Sequence, residues 1–167
     1  RFTYSTYPGV AMSYEGLRYW ENWGEHLKAD RGAELAKFSQ CGMVTLKTTG
    51  GHHLKVLPHF DSIGIPYEDW DEDNFQSHLP ELDLRRFGPP KRPEDDGFWD
   101  EPTECLEGGL FTPEAGYVSD PQLASHNLHV AAAALNCDFR FNTEVTAITQ
   151  QGGQITGVEL GDGTSIS

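Results

Sequence analysis

Residues 109–167 read GLFTPEAGYVSDPQLASHNLHVAAAALNCDFRFNTEVTAITQQGGQITGVELGDGTSIS, a pattern that predicts strand, helix, strand and hairpin in that order. Asp120 offers a capping carboxylate to the amides of a helix start. Pro121 suits the first helical position, where no amide donor is needed. Ala124, Leu128, Ala131 and Leu135 follow at steps of four, three and four, which marks one face for burial. Ala131 to Ala134 keep the helix slim enough to lie close against a sheet, and Asn136, tolerant of left-handed backbone, closes it. Phe139 and Phe141 alternate with Asp138, Arg140 and Asn142, a period of two that predicts a strand. Val145 and Ile148 continue inward, residues 150–153 turn, and Ile155, Val158 and Leu160 return. Gly161-Asp162-Gly163 makes a second turn.

Upstream, Ser13 or Glu15 to Lys28 reads as a helix with Leu17, Trp20, Gly24 and Leu27 on one stripe. Tyr4, Tyr7, Tyr14, Tyr19, Trp20 and Trp23 make this part aromatic-rich, as core packing or as the lining of a pocket for an amine or a flavin; packing is the usual role at helical spacing. Leu35 to Phe38 and Gly42 to Lys47 are expected to pair as a hairpin through Gln40-Cys41-Gly42. His52 to Ser62 predicts a short helix weakened by Pro58, and Tyr67 to Asp71 a strand. Asp73 is placed to cap a short helix through His78, ended by Pro80. From Asp83 to Glu107, Pro89, Pro90, Pro93 and Pro102 with mixed charge exclude regular structure. This is a loop insertion, with Phe98 and Trp99 expected to tuck against the body in preference to forming a lid or a partner contact.

Leu110-Phe111, Pro113, Gly116, Asp120-Pro121 and Leu123, then the small-residue helix, Val145, Ile148 and Gly157-Val158, resemble the central segment of the flavoenzymes grouped with D-amino-acid oxidase, glycine oxidase and sarcosine oxidase. Arg1-Phe2-Thr3-Tyr4 is similar to an Arg-x-x-Tyr element of the sarcosine-oxidase-like members. The resemblance implies an α/β (α+β mixed) fold, a fragment of an FAD-binding Rossmann-like domain joined to a mixed-sheet substrate-binding domain. It implies that 1–32 is a helical connection next to the flavin site. Residues 33–112 would form the substrate-binding domain, with the insertion at 83–107, and 113–167 part of the FAD-binding domain. Val145 would meet the adenine of FAD through its backbone, Arg1 would hold a substrate carboxylate, and Tyr4 would stand beside it. The implied reaction oxidises the C–N bond of an amino acid or secondary amine: hydride leaves the carbon next to nitrogen for the flavin, and the imine hydrolyses. No general base is assigned. From residue type alone, Arg1 is equally a surface arginine. Its planar guanidinium suits a carboxylate because two parallel hydrogen bonds orient it.

The chain has 167 residues, enough for one domain or two small lobes with a core. No G-x-G-x-x-G occurs in it, so it reads as an internal fragment of a longer enzyme, inactive alone, whose other parts are partners of this one. The net charge of −14 argues against nucleic acid and against an anionic membrane. No stretch approaches a membrane span. Cys41, Cys105 and Cys137 form no pairing or metal pattern, which favours reduced thiols and a cytoplasmic protein. His52, His53 and His59, and the pair His126 and His129, lack a completing ligand set and are read as surface groups. The acidic runs 68–73 and 94–96 miss the calcium-loop pattern and are read as solvated faces. An oligomer stays open. Two rival readings stand beside the amine enzyme: an acidic, non-catalytic interaction lobe, and a flavoenzyme of the same fold acting on a substrate other than an amine.

Overall fold

The computed structural model describes residues 1–48 and 50–167, with His52 described in its backbone alone, so the expected surface placement of that imidazole lies outside the described residues. The chain divides into two compact units, Arg1–Asn127 and Leu128–Ser167. Helices and antiparallel sheets are mixed throughout, which is the expected α/β (α+β mixed) class.

In the first unit, helix α1 runs Tyr7–Glu21 and α2 Trp23–Leu27. The sequence predicts one helix starting at Ser13 or Glu15. It begins earlier because Thr6 is extended at the cap and Pro8 falls in the first turn, where a missing amide costs nothing. It breaks at Asn22, with φ −120° and ψ 39°, and the phase shift after the break buries Trp23. Strand β1 (Phe38–Ser39) and β2 (Met43–Leu46) do not form the expected hairpin. Gly42 donates instead to the Ala115 carbonyl at 2.8 Å, and β2 pairs with β4 (Gly109–Thr112), while β1 pairs with β5 (Tyr117–Val118). The two short strands thus diverge onto a later segment. After a 3-10 turn at His52–Lys55 comes α3 (Leu57–Ile63), whose Pro58 again sits in the first turn, so the expected weakening does not arise. Strand β3 (Glu68–Trp70) completes a sheet of order β2-β4-β3, with Val44, Phe111 and Glu68 in register. Helix α4 (Glu72–His78) is capped by Asp71, whose Oδ1 accepts from the Asn74 amide at 2.8 Å; the expected cap, Asp73, lies inside the helix.

Register places Leu110 and Thr112 on one face of this sheet, and Leu110 joins Phe2, Val10, Leu17, Val56 and Phe60 in the buried core beneath α1 and α3. On the other face Trp70 stacks between Phe111, at 4.7 Å, and His78, at 4.3 Å. Between β3 and β4, residues 83–107 form no helix or strand beyond the bridge Arg85↔Cys105. Phe98 is half-buried, but Trp99 is 84% exposed, so the expected tuck fails for the tryptophan.

Helix α5 (Pro121–Ala134) starts as predicted, Asp120 Oδ1 accepting from the Leu123 amide at 2.9 Å. Its buried positions are Ala124 and Asn127; the expected stripe fails at Leu128 and Leu135, both exposed, because the inward face follows Asn127. In the second unit Asn136, φ 65°, closes the helix while Cys137 donates to the Ala132 carbonyl at 3.0 Å. The expected strand at 138–142 is absent. Asn136 and Asn142 bend it at both ends, and the alternating Phe139 and Phe141 rings stack on each other and stand edge-on to His129. Strands β6 (Val145–Gln151) and β7 (Gln154–Leu160) form the predicted hairpin, followed by β8 (Ser165–Ile166). Val145 and Ile148 face solvent rather than inward.

Candidate functional site

The N-terminal residues are held by one anchor. Phe2 is buried in the core, with the Tyr14 ring edge-on to it at 5.3 Å. The Tyr14 hydroxyl donates to Glu114 Oε2 at 2.7 Å, fixing that ring in turn. Burial, then this bond to Glu114, pushes the Tyr14 phenol above its usual 10.0. A tight turn, the Tyr4 amide donating to the Phe2 carbonyl at 2.9 Å, brings Arg1 and Tyr4 back together on the outer side. The Arg1 guanidinium carbon lies 5.4 Å from the Tyr4 ring centroid, a cation–π contact that orients the guanidinium without consuming its N–H donors.

Arg1 and Tyr4 stand on a cavity of about 290 Å³ between α1 and the β1–β5 pair. Met12, Gly16 and Trp20 form its helical wall and Phe38 the strand side. Among the described residues that line it there is one cation and no carboxylate, in a chain of net charge −14. An apolar pocket with one guanidinium and no competing acid is chemically suited to an organic anion. Sequence reasoning paired Arg1 with Tyr4 but missed Met12, Gly16 and Phe38, and for Trp20 it favoured packing over a place in an aromatic-lined pocket. Their signal was present: Met12, Gly16 and Trp20 fall at steps of four, but this shows only once the helix is started at Tyr7.

Val145 belongs to the second unit, where it opens β6. Val145 pairs with Leu160, yet Leu160 donates to Thr164 at 2.8 Å and Gly161 to Glu144 at 2.9 Å. That alternation makes Val145 and Leu160 a non-hydrogen-bonded pair, so the N–H and C=O of Val145 point away from β7. Strand β6 has no neighbour on that side among the described residues. A free donor and acceptor at an open strand edge fit the two-point hydrogen bonding of a purine. The residues present therefore fit the adenine end of FAD; nothing in the sequence supplies a glycine-rich pyrophosphate cradle. Among the described residues no three His, Cys, Asp or Glu side chains converge as a metal group. No described helix is long and apolar enough to cross a membrane.

The sequence profile of the family described as FAD dependent oxidoreductase matches residues 2–166. Comparison with curated proteins gives no significant match. Among solved structures, L-proline dehydrogenase from P. horikoshii is similar at TM-score 0.63 and 17% identity, covering 98% of this chain and 37% of its own. Glycine oxidase from Geobacillus kaustophilus gives 0.60 and 20%, covering 98% and 39%. Glycine oxidase from Bacillus cereus ATCC 14579 gives 0.53 and 18%, covering 93% and 38%. The chain thus spans less than two fifths of each of these enzymes. With the profile covering nearly every residue, this chain belongs to the FAD-dependent oxidoreductase family that includes D-amino-acid oxidase.

Proposed function

We propose that the chain is part of an enzyme that oxidises the C–N bond of an amino acid or a secondary amine bearing a carboxylate. The observation that carries this reading is the cavity with a single guanidinium, aromatic walls and no acid. Arg1 binds the substrate carboxylate through two parallel N–H donors, and Tyr4 braces the guanidinium from its face. Met12, Trp20 and Phe38 offer the rest of the substrate an apolar wall beside Arg1. FAD, when bound, supplies the acceptor for the hydride that leaves the carbon next to nitrogen. Val145 is assigned to the adenine through its outward-facing amide and carbonyl. In this reading residues 33–112 serve substrate binding and 113–167 contribute to the FAD domain.

The test is Arg1→Lys and Arg1→Ala in the full-length protein, assayed on carboxylated amines and on neutral amines of matched size. A charge-assisted bond is worth about 1.5–3 kcal/mol, so Arg1→Ala should raise KM for carboxylated amines by about 10- to 150-fold and leave neutral amines unchanged. Arg1→Lys should recover only part of the loss, because an ammonium lacks the fork. Equal loss on both substrate classes rules out the carboxylate role.

A further inference from the structure

Residues 83–107 lack regular structure but are braced from within. Arg86 donates to the Glu104 carbonyl and Leu106 to the Leu84 carbonyl, both at 2.8 Å, and these bonds close the base around the Arg85↔Cys105 bridge. Three of the four cations are engaged internally: Arg85 pairs with Asp83 at 2.6 Å and Glu101 at 2.5 Å, Arg86 with Glu104 at 2.6 Å, and Lys91 Nζ donates to the Gly97 carbonyl at 2.9 Å. Carboxylates outnumber cations in the segment by eight to four. Glu94 and Asp96 form no ion pair among the described residues. Between the arms opens a cavity of about 560 Å³ walled by Phe87, Pro89, Pro90, Phe98 and Pro102, with Lys91, Asp100 and Glu101 also in its lining. Trp99 stands edge-on to Phe98 at 4.8 Å with 84% of its surface in solvent, and Phe87 is exposed as well.

We propose that this loop is a docking surface for a partner protein, receiving a segment in which an apolar side chain lies next to lysine or arginine. The apolar side chain fills the proline- and phenylalanine-walled cleft; the cations meet the carboxylates of Glu94, Asp96 and Asp100, and Trp99 offers a face for a cation–π contact. Charge selects the occupant. A second copy of this chain, also at −14, an anionic lipid surface and a nucleic acid would all be repelled. The internal bonds reduce what the loop must lose in freedom on binding, and an exposed tryptophan beside a cleft is the side chain that most often dominates such contacts.

The experiment titrates the full-length protein into three fluorescently labelled peptides: one of alternating lysine and phenylalanine, one of lysine and serine with the same charge, and one of glutamate and phenylalanine. The lysine–phenylalanine peptide should bind saturably, the lysine–serine peptide at least about tenfold more weakly, and the glutamate peptide not at all. Trp99→Ala should weaken binding by about tenfold. Glu94→Gln with Asp96→Asn should weaken it less and flatten its dependence on salt. Both variants lie at exposed positions and should leave substrate turnover unchanged. Equal affinity for the two lysine peptides, indifference to Trp99→Ala, or no binding because another part of the full-length protein or a second copy covers the cleft would each overturn the proposal.

Discussion

Asn127 shows how one buried polar side chain can tie an irregular segment to a helix. Its Oδ1 accepts from the Ala36 amide at 3.0 Å and the Trp23 indole at 3.4 Å, and its Nδ2 donates to the Glu34 carbonyl at 2.9 Å. Asn127→Ala orphans three groups and should cost about 2–3 kcal/mol in urea unfolding; Asn127→Asp keeps the two acceptor bonds but sets a buried carboxylate oxygen against the Glu34 carbonyl, so it should cost at least as much. The sequence gives no hint of this role, because a lone asparagine on a helix carries no partner signal. Gly16 is a second such residue. A Cβ there meets no atom within 4 Å, so Gly16→Leu should fill the cavity beside Arg1 without disturbing the core. It should raise KM for bulky carboxylated amines more than for small ones, and raise the unfolding midpoint slightly, because glycine inside a helix costs about 0.5–1 kcal/mol. Tyr14 and Tyr67 contribute to the loss of stability at alkaline pH. Burial and the bond to Glu114 raise the first phenol above its usual 10.0, and the bond to Asp61, then burial, raises the second likewise. A raised pKa means that the folded state holds the proton more tightly. The stabilisation is therefore complete below pH 10.0 and fades as pH climbs through the folded-state values. The urea midpoint should fall above that pH, and Tyr14→Phe with Tyr67→Phe should remove this share of the fall.

At the scale of elements, the readable signals were those with local causes. The capped start of α5, its close at Asn136 and the β6–β7 hairpin each follow from residues within a few positions of one another. What failed depended on distant partners. β1 and β2 lie beside a turn glycine that fits a hairpin, but a long-range ladder to β4 and β5 claims both strands. The sheet that results is bolted by Lys47. This buried ammonium donates to the Trp70 carbonyl at 2.7 Å and pairs with Asp69, reaching from β2 across β4 to β3. Lys47→Met should destabilise the protein by about 1–3 kcal/mol, since it leaves the Trp70 carbonyl unpaired. Gly108 closes the same corner with φ +101°, and a Cβ there would collide with the Trp70 carbonyl oxygen. Gly108→Ala should cost at least as much, measured by the same unfolding midpoint.

Across the whole molecule, the family and the mixed α/β fold were legible because they rest on spaced residues along nearly the full chain. The walls of the Arg1 cavity were not, because they join the N-terminal residues and α1 to strands from two distant stretches of sequence. Charge is distributed with the same economy: a protein of net charge −14 keeps carboxylates off the cavity lining and concentrates them elsewhere. The most direct measurement is the visible spectrum of the purified full-length protein, recorded anaerobically before and after addition of a carboxylated secondary amine. A bound-flavin spectrum that bleaches with this amine, and not with the matching hydroxy acid, is the predicted result. A colourless protein that takes up no FAD, or a flavin that bleaches only with the hydroxy acid, would contradict it.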